Sequence, residues 1–399
     1  MLATRVLGKT GLKVTELGFG AMNVRLVKPP AALKTLGFVL RSGINFIDTS
    51  ETYNREFPDG TRSESEALIG EAIRRWDSSG EVIVNTKGHG YNREACLECL
   101  HGSLGHIGIE GKGPDRHIGK TSVRLLYMLH GLDGERWDET QRTECVQKAL
   151  VPARERGLID HIGFSGHDQE VMAEVIRSGL FEVVEMRYNV FDREARQTAV
   201  AGQSSRFTSR QVLDLAYQRG MGIVNMKPFG GNGMQPLLRV ITAEEVMVQY
   251  RRMLRYCLAE PKLSVVIPGA VTEEQARECY QAALEGPLPE AEQRLLEEQA
   301  DGIIEVVGSD YCRGCRHCLD DAPEFECPNA IPFDEILVLE SRRKVAQAVG
   351  VSVDHLKELY GQLPVDASAC DRCGQCQDRC IYDIPIVDML ESAHRELGA

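Results

Sequence analysis

The sequence predicts an α/β chain: a (β/α)8 barrel over residues 1–308, followed by a small α-helical, cysteine-rich domain over 309–399. Three observations carry this. Eight short apolar, β-branched runs recur over the first ~270 residues: LGFG at 17, INFID at 44, VIVNTK at 82, VRLLYMLH at 123, HIGFS at 161, VVEMRYN at 183, GIVNMK at 222 and LSVVIPG at 263. Their near-continuous apolarity suits strands buried on both faces of a parallel sheet. Helical patterns such as SESEALIGEAIRRW and TECVQKALVPARERG alternate with them, as βα repetition requires. Finally, eight of the 13 cysteines fall after residue 310.

The elements follow in order. The opening TRVLGKTGLKVTEL places a Lys-Thr-Gly turn between two short extended runs and predicts a hairpin ahead of the barrel. The eight runs end in polar residues at six places, Asp48, Lys87, His130, Ser165, Asn189 and Lys227. In a barrel these ends form the rim that carries the active site. Two longer connections, NREFPDGTR (54–62) and HIGIEGKGPDRHIGK (106–120), are expected to flank the mouth. Residues 282–305 read as a loop and a closing helix. Beyond them, PFDEILVLESRRKVAQAV and VDHLKELYGQL are helical and join two cysteine combs.

Composition narrows the function. A formal net charge of −13 argues against a nucleic-acid-binding surface. Over half of it sits in residues 310–399, with 17 acidic and 9 basic residues. No apolar run approaches the ~20 residues of a membrane helix, and MLATRVLGKTGLKV lacks the apolar core of a secretory signal. The expectation is a cytoplasmic protein with no membrane partner. In a reducing compartment, clustered cysteines point to metal rather than to disulfides. The scattered Cys96, Cys99, Cys145, Cys257 and Cys279 read as small buried hydrophobes.

On the rim, Tyr53 follows Asp48 by five residues, Lys87 ends the third run and His130 the fourth. A tyrosine beside a lysine ammonium has its ionisation favoured. An aspartate can fix that lysine, and a histidine can donate to a carbonyl oxygen. Together they suit the polarisation of C=O for hydride delivery.

In LGKTGLKVTELGFGAM (7–22), GINFIDTSETY (43–53) with SEALIGEAI (65–73), VIVNTKG (82–88) and RLLYMLHGLD (124–133), the chain resembles the aldo-keto reductases. Further matches are GLIDHIGFSGHD (157–168), MRYNVFDRE (186–194) and VVIPGAVTEEQARE (265–278), so the likeness spans about residues 3–300. The resemblance implies an NAD(P)H-dependent oxidoreductase acting on a small carbonyl or alcohol. Tyr53 is then the general acid, Lys87 tunes it, Asp48 holds Lys87, and His130 orients the carbonyl. The nicotinamide cofactor, NADP(H) or NAD(H), would lie across the mouth on KPFGGNG (227–233) and PGAVTEEQ (268–275). Candidate contacts are Ser165, Glu185, Lys227, Pro228, Gly230, Pro268, Gly269 and Arg277. Three positions depart from the family pattern: Gly166 follows Ser165 where an asparagine is usual, Glu185 replaces a glutamine, and Cys279 replaces an asparagine. No basic residue lies in 268–275; Arg277 is the nearest.

Cys370, Cys373, Cys376 and Cys380 fit C-x2-C-x2-C-x3-C, and Cys312, Cys315, Cys318 and Cys327 fit C-x2-C-x2-C-x8-C-P. Three thiolates at x2 intervals suit a cubane better than zinc, whose sites usually pair two CxxC units, although a pair of four-cysteine zinc sites is the alternative. The tail resembles a dicluster ferredoxin, and the whole chain an aldo-keto reductase subfamily with such a tail. That resemblance implies one [4Fe–4S] cluster on Cys312, Cys315, Cys318 and Cys380. The other would be on Cys370, Cys373, Cys376 and Cys327. The clusters would serve electron transfer, with a redox protein as partner, or structure. The competing reading is a barrel of weakened catalysis, acting as a redox-sensing iron–sulfur subunit.

Overall fold

The computed structural model describes residues 2–76, 80–195, 205–230, 246–308, 311–312, 317–320, 327–380 and 384–398. Eight parallel strands form the barrel: β1 (Phe19–Gly20), β2 (Phe46–Asp48), β3 (Glu81–Gly88), β4 (Thr121–Leu132), β5 (His161–Gly166), β6 (Val183–Arg187), β7 (Gly222–Met226) and β8 (Val265–Ile267). They pair in sequence order, and the bridges Leu17 to Val266 and Gly20 to Gly269 bring β1 against β8. Each of the eight apolar runs became a strand.

Side-chain capping starts several outer helices on cue. Asn92 caps Arg93–Ile107, Asp133 caps Gly134–Arg142 and Asp168 caps Gln169–Ser178, while Thr208 and Thr272 each form a capping box. Each cap satisfies amide donors that a helix end leaves open.

The barrel interior is layered along its axis. Strand periodicity puts Ile83, Asn85 and Lys87 on one face of β3, and Phe46 and Asp48 on one face of β2. The lower layer is apolar: Phe46, Ile83, Leu126, Met128, Val183, Val224 and Val265 pack together with Leu7 and Val14 of the N-terminal hairpin. That hairpin pairs Thr4–Val6 with Lys13–Thr15 and closes the bottom. A Cβ on Gly8 would fall 2.2 Å from the backbone of Met221 and Gly222, so only glycine lets the hairpin sit this close. The upper layer is polar, and there the site is built.

The two long connections lie at opposite ends. Residues 54–62 do reach the mouth, where Asn54–Glu56 pairs with Arg62–Glu64. Residues 106–120 do not. His117–Ile118 pairs antiparallel with Thr121 and Ser122 at the start of β4, which is the bottom of the barrel. The expectation that this segment flanks the mouth is therefore corrected: a helix-to-strand connection delivers the chain to a strand's first residues, away from the rim.

After the last barrel helix, Glu290–Val307, the described residues form a short helix at His317–Asp320 and longer ones over Phe333–Ala348, Asp354–Gly361 and Ile386–Leu397. The three longer helices share an apolar cluster that includes Phe333, Ile336, Leu337, Tyr360, Met389 and Leu390. Helix Phe333–Ala348 also packs on Glu290–Val307, and Val345 and Tyr311 join the barrel-side core. No described helix is long and apolar enough to cross a membrane.

Candidate active site

Three strands aim charged side chains at one point inside the upper barrel. Asp48 ends β2, Lys87 lies near the end of β3, and Glu185 sits mid-way along β6; all three are buried. The Lys87 ammonium donates to Asp48 Oδ1, to the Thr49 carbonyl at 2.9 Å, and lies 3.3 Å from Glu185 Oε2. Asn85, two residues earlier on the same face of β3, donates to Asp48 Oδ1 at 2.7 Å and to Glu185 Oε2 at 3.1 Å. Burial works against the charge of Lys87, yet Asp48, Glu185 and Tyr53 outweigh it and hold the ammonium above its usual range.

Above this core stand the aromatic groups. The Lys87 ammonium is 5.5 Å from the centre of the Tyr53 ring. Tyr53 meets His130 edge-on, with ring centres 5.8 Å apart. Both are half-buried, so they face the mouth while Lys87 does not. The His130 Nδ1 is 3.0 Å from the Ser50 hydroxyl, which itself donates to the Lys87 carbonyl at 3.1 Å. The Tyr91 hydroxyl donates to the His130 carbonyl at 2.5 Å. The rings are thus fixed from below and from the side.

Ser165 takes the N–H of Gly131, next to His130, at 2.9 Å. Lys227 has φ 55° and Gly230 φ 67°, and the Gly230 N–H closes a turn on the Lys227 carbonyl at 3.1 Å. Pro228 is buried within this turn, and its carbonyl faces the Cys257 thiol. Pro268 accepts the Gly20 N–H at 3.0 Å, and Gly269 is exposed on the rim. Residues 231–233 of the strand-seven loop lie outside the described residues. Arg277 is committed elsewhere: it donates to Glu273 at 2.6 Å, and its guanidinium lies 4.5 Å over the Phe38 ring. Glu185, read from sequence as a cofactor contact, turns its carboxyl to Lys87 and Asn85. Asn189, one of the six rim residues, accepts the N–H groups of Phe191 and Asp192 and shapes a turn.

The donor set suits a nicotinamide nucleotide. An acid and an imidazole stand at the mouth over a buried ammonium, a buried hydroxyl lies beside them, and main-chain turns follow β7 and β8. A family model for the aldo/keto reductase family matches residues 16–112 and 126–239. The chain belongs to the aldo/keto reductase family. This reductase is 27% identical to the uncharacterized oxidoreductase YqkF of Bacillus subtilis over 325 residues, 73% of this chain and 95% of that one. It is 25% identical to the L-galactose dehydrogenase of Arabidopsis thaliana, over 76% of this chain and 94% of that one. Its fold matches the aldo-keto reductase AKR11C1 from Bacillus halodurans in the holo form with TM-score 0.57 and 20% identity, over 75% and 96% of the two chains.

Four residues of the reductase site escaped sequence reading. Asn85 bridges the two carboxylates and Ser50 holds His130. His89 packs against His130 at a tilt, with ring centres 4.4 Å apart, and Glu51 accepts the His89 main-chain N–H at 2.8 Å. The signal for Asn85 was available: it shares the inward face of β3 with Lys87. Glu51 and His89 had no local signal, because they meet only when the ends of β2 and β3 are side by side.

In the tail, Cys312, Cys318, Cys327, Cys370, Cys376 and Cys380 pack against the apolar cluster, Cys373 is exposed, and Cys315 lies outside the described residues. Burial pushes the Cys376 thiol up to about 11, and Cys370, Cys373 and Cys327 add to this through their proximity. Among the described residues no three metal-ligating side chains converge on a point. The all-thiol donor set is nevertheless of the soft type that iron–sulfur clusters use.

Proposed function

We propose that this protein interconverts a small carbonyl compound and its alcohol, using NADH or NADPH, with Tyr53 as general acid. The observation that carries the proposal is the buried Lys87, clamped by Asp48 and seated under the Tyr53 ring beside His130. The nicotinamide supplies the hydride. Tyr53 gives its hydroxyl proton to the carbonyl oxygen, Lys87 stabilises the tyrosinate that remains, and His130 orients the same oxygen. Asp48 and the Thr49 carbonyl keep the Lys87 ammonium in place, so it need not reorganise as charge develops. Ser165, Pro228 and Gly230 would line the cofactor's path, and Lys227, Pro268 and Gly269 its outer part. An assembled tetrad supports catalysis over a decayed barrel. The assay is consumption of NADH or NADPH against a panel of aldehydes, ketones and aldoses; no turnover with any of them defeats the reading.

Discrimination between the two cofactors is expected to be weak. Arg277 is held by Glu273 and Phe38, and the first turn of helix Glu273–Leu284 carries Glu273 and Glu274, with Lys34 3.8 and 3.9 Å from them. Carboxylates there oppose a 2′-phosphate. Quenching of intrinsic fluorescence should show NADH binding at least as tightly as NADPH. NADPH tighter by more than about tenfold, or ~1.4 kcal/mol, contradicts this.

The tail is proposed to hold two [4Fe–4S] clusters, on Cys312, Cys315, Cys318 and Cys380 and on Cys370, Cys373, Cys376 and Cys327, over a domain of residues 309–399. Support comes from the comb spacing and from Cys327 of the first comb lying near Cys370, Cys373 and Cys376 of the second. The clusters would pass electrons to a redox protein or brace the tail.

A further inference from the structure

Lys87 serves two acids, not one. Its three N–H bonds go to Asp48, the Thr49 carbonyl and Glu185, and both N–H bonds of the Asn85 amide go to the same two carboxyls. The side chains of Asp48, Lys87 and Glu185 are exposed by only 5%, 0% and 3%. With every group ionised, this closed set carries one uncompensated negative charge. An unpaired charge in such surroundings is costly, and the usual escape is to bind a proton. A place for that proton exists, because the same ammonium and the same amide bring Asp48 Oδ1 and Glu185 Oε2 together in one buried set.

We propose that Asp48 and Glu185 share one proton beneath Lys87, and that Glu185 is a positioning residue whose protonation state sets how readily Tyr53 gives up its own proton. The inference rests on the reading of Tyr53 and Lys87 as the proton-handling pair. A glutamine, the family's residue at this place, could fill the same space but could not lose a proton. With the proton present, Lys87 faces one net negative charge, and its field favours a tyrosinate. Without it, Lys87 faces two, and the tyrosinate costs more to form. Carbonyl reduction therefore slows as Glu185 ionises.

Asp48 makes the closer contact with the Lys87 ammonium and Glu185 the longer one, at 3.3 Å, so Glu185 is the member less held in its charged form. Burial first, and Asp48 next, push its carboxyl up to about 8, with Lys87 pulling it partly back. On the flanking strands its register partners are Ser165 and Val224, neither charged. Arg187, two residues along the same strand, is paired with Asp192 at 3.1 Å. Among the described residues, the ionisable groups acting on Glu185 are Asp48 and Lys87, with Tyr53 beyond Lys87.

Two measurements test this. The first needs neither cofactor nor activity. Infrared difference spectra of the cofactor-free protein between neutral and alkaline pH should show the carbonyl stretch of one protonated carboxylic acid disappearing, and Glu185→Gln should lack that band. No such band in the wild-type protein at neutral pH overturns the proposal, whether or not the variant folds. The second is the pH profile of kcat for carbonyl reduction. The wild type should lose rate through a limb on the mildly alkaline side, and Glu185→Gln should move that limb upward by at least about one pH unit. An unmoved limb in an active, folded variant also overturns it. A wild type inactive at every pH, but with the infrared band present, instead defeats the functional reading and leaves the shared proton standing.

Discussion

Tyr53→Phe is expected to lower carbonyl reduction by about 10²–10⁴-fold, the usual loss when a general acid is removed. The substitution deletes one hydroxyl and keeps the ring. The edge-on contact with His130 at 5.8 Å and the Lys87 ammonium 5.5 Å from the ring centre both survive it. Fold and cofactor binding should therefore be little changed, and the loss should appear in kcat. A small residual rate is expected, since His130, braced by Ser50 and packed against His89, still polarises the carbonyl. Steady-state kinetics with a fluorescence titration of the same variant separates the two effects. Wild-type-like turnover in the variant removes Tyr53 from the mechanism.

How this site reads from sequence depends on distance along the chain. The barrel was legible because each strand is a local signal: VIVNTK and GIVNMK are apolar on both faces and are flanked by helical patterns. Asp48, Tyr53, Lys87 and His130 were legible because each ends a strand run or follows one closely, and such ends meet at one rim. The role of Glu185 was not. Its partners are Asp48 and Lys87 across the barrel, and Asn85 stands 100 residues earlier. No period or spacing encodes which way a strand-six side chain turns when a lysine and an amide are both within reach. The place of 106–120 was misread for a related reason. Its length drew attention, but a connection's end of the barrel follows from whether it enters or leaves a strand. Helix Ile386–Leu397 was not among the helices read from the sequence.

Anaerobically purified protein is expected to be brown and to carry about eight irons per chain, four for each cubane. The combs give this expectation a further, sharper form. If fourth ligands are exchanged between combs, Cys380→Ser should alter the cluster on Cys312, Cys315 and Cys318 and spare the other. Cys327→Ser should do the reverse. One proximity motivates the exchange on one side: Cys327 precedes helix Phe333–Ala348, yet it acts on Cys376 together with Cys370 and Cys373, more than 40 residues later. The same helix packs on the last barrel helix, so losing a cluster should loosen the tail without unmaking the upper barrel layer, which no tail residue enters among those described. Iron content and electron paramagnetic resonance of the two serine variants, with NAD(P)H-linked turnover measured alongside, read these effects separately. Stoichiometric zinc with no visible absorption rejects the clusters outright. A single signal altered identically by both substitutions rejects the exchange while leaving the iron in place.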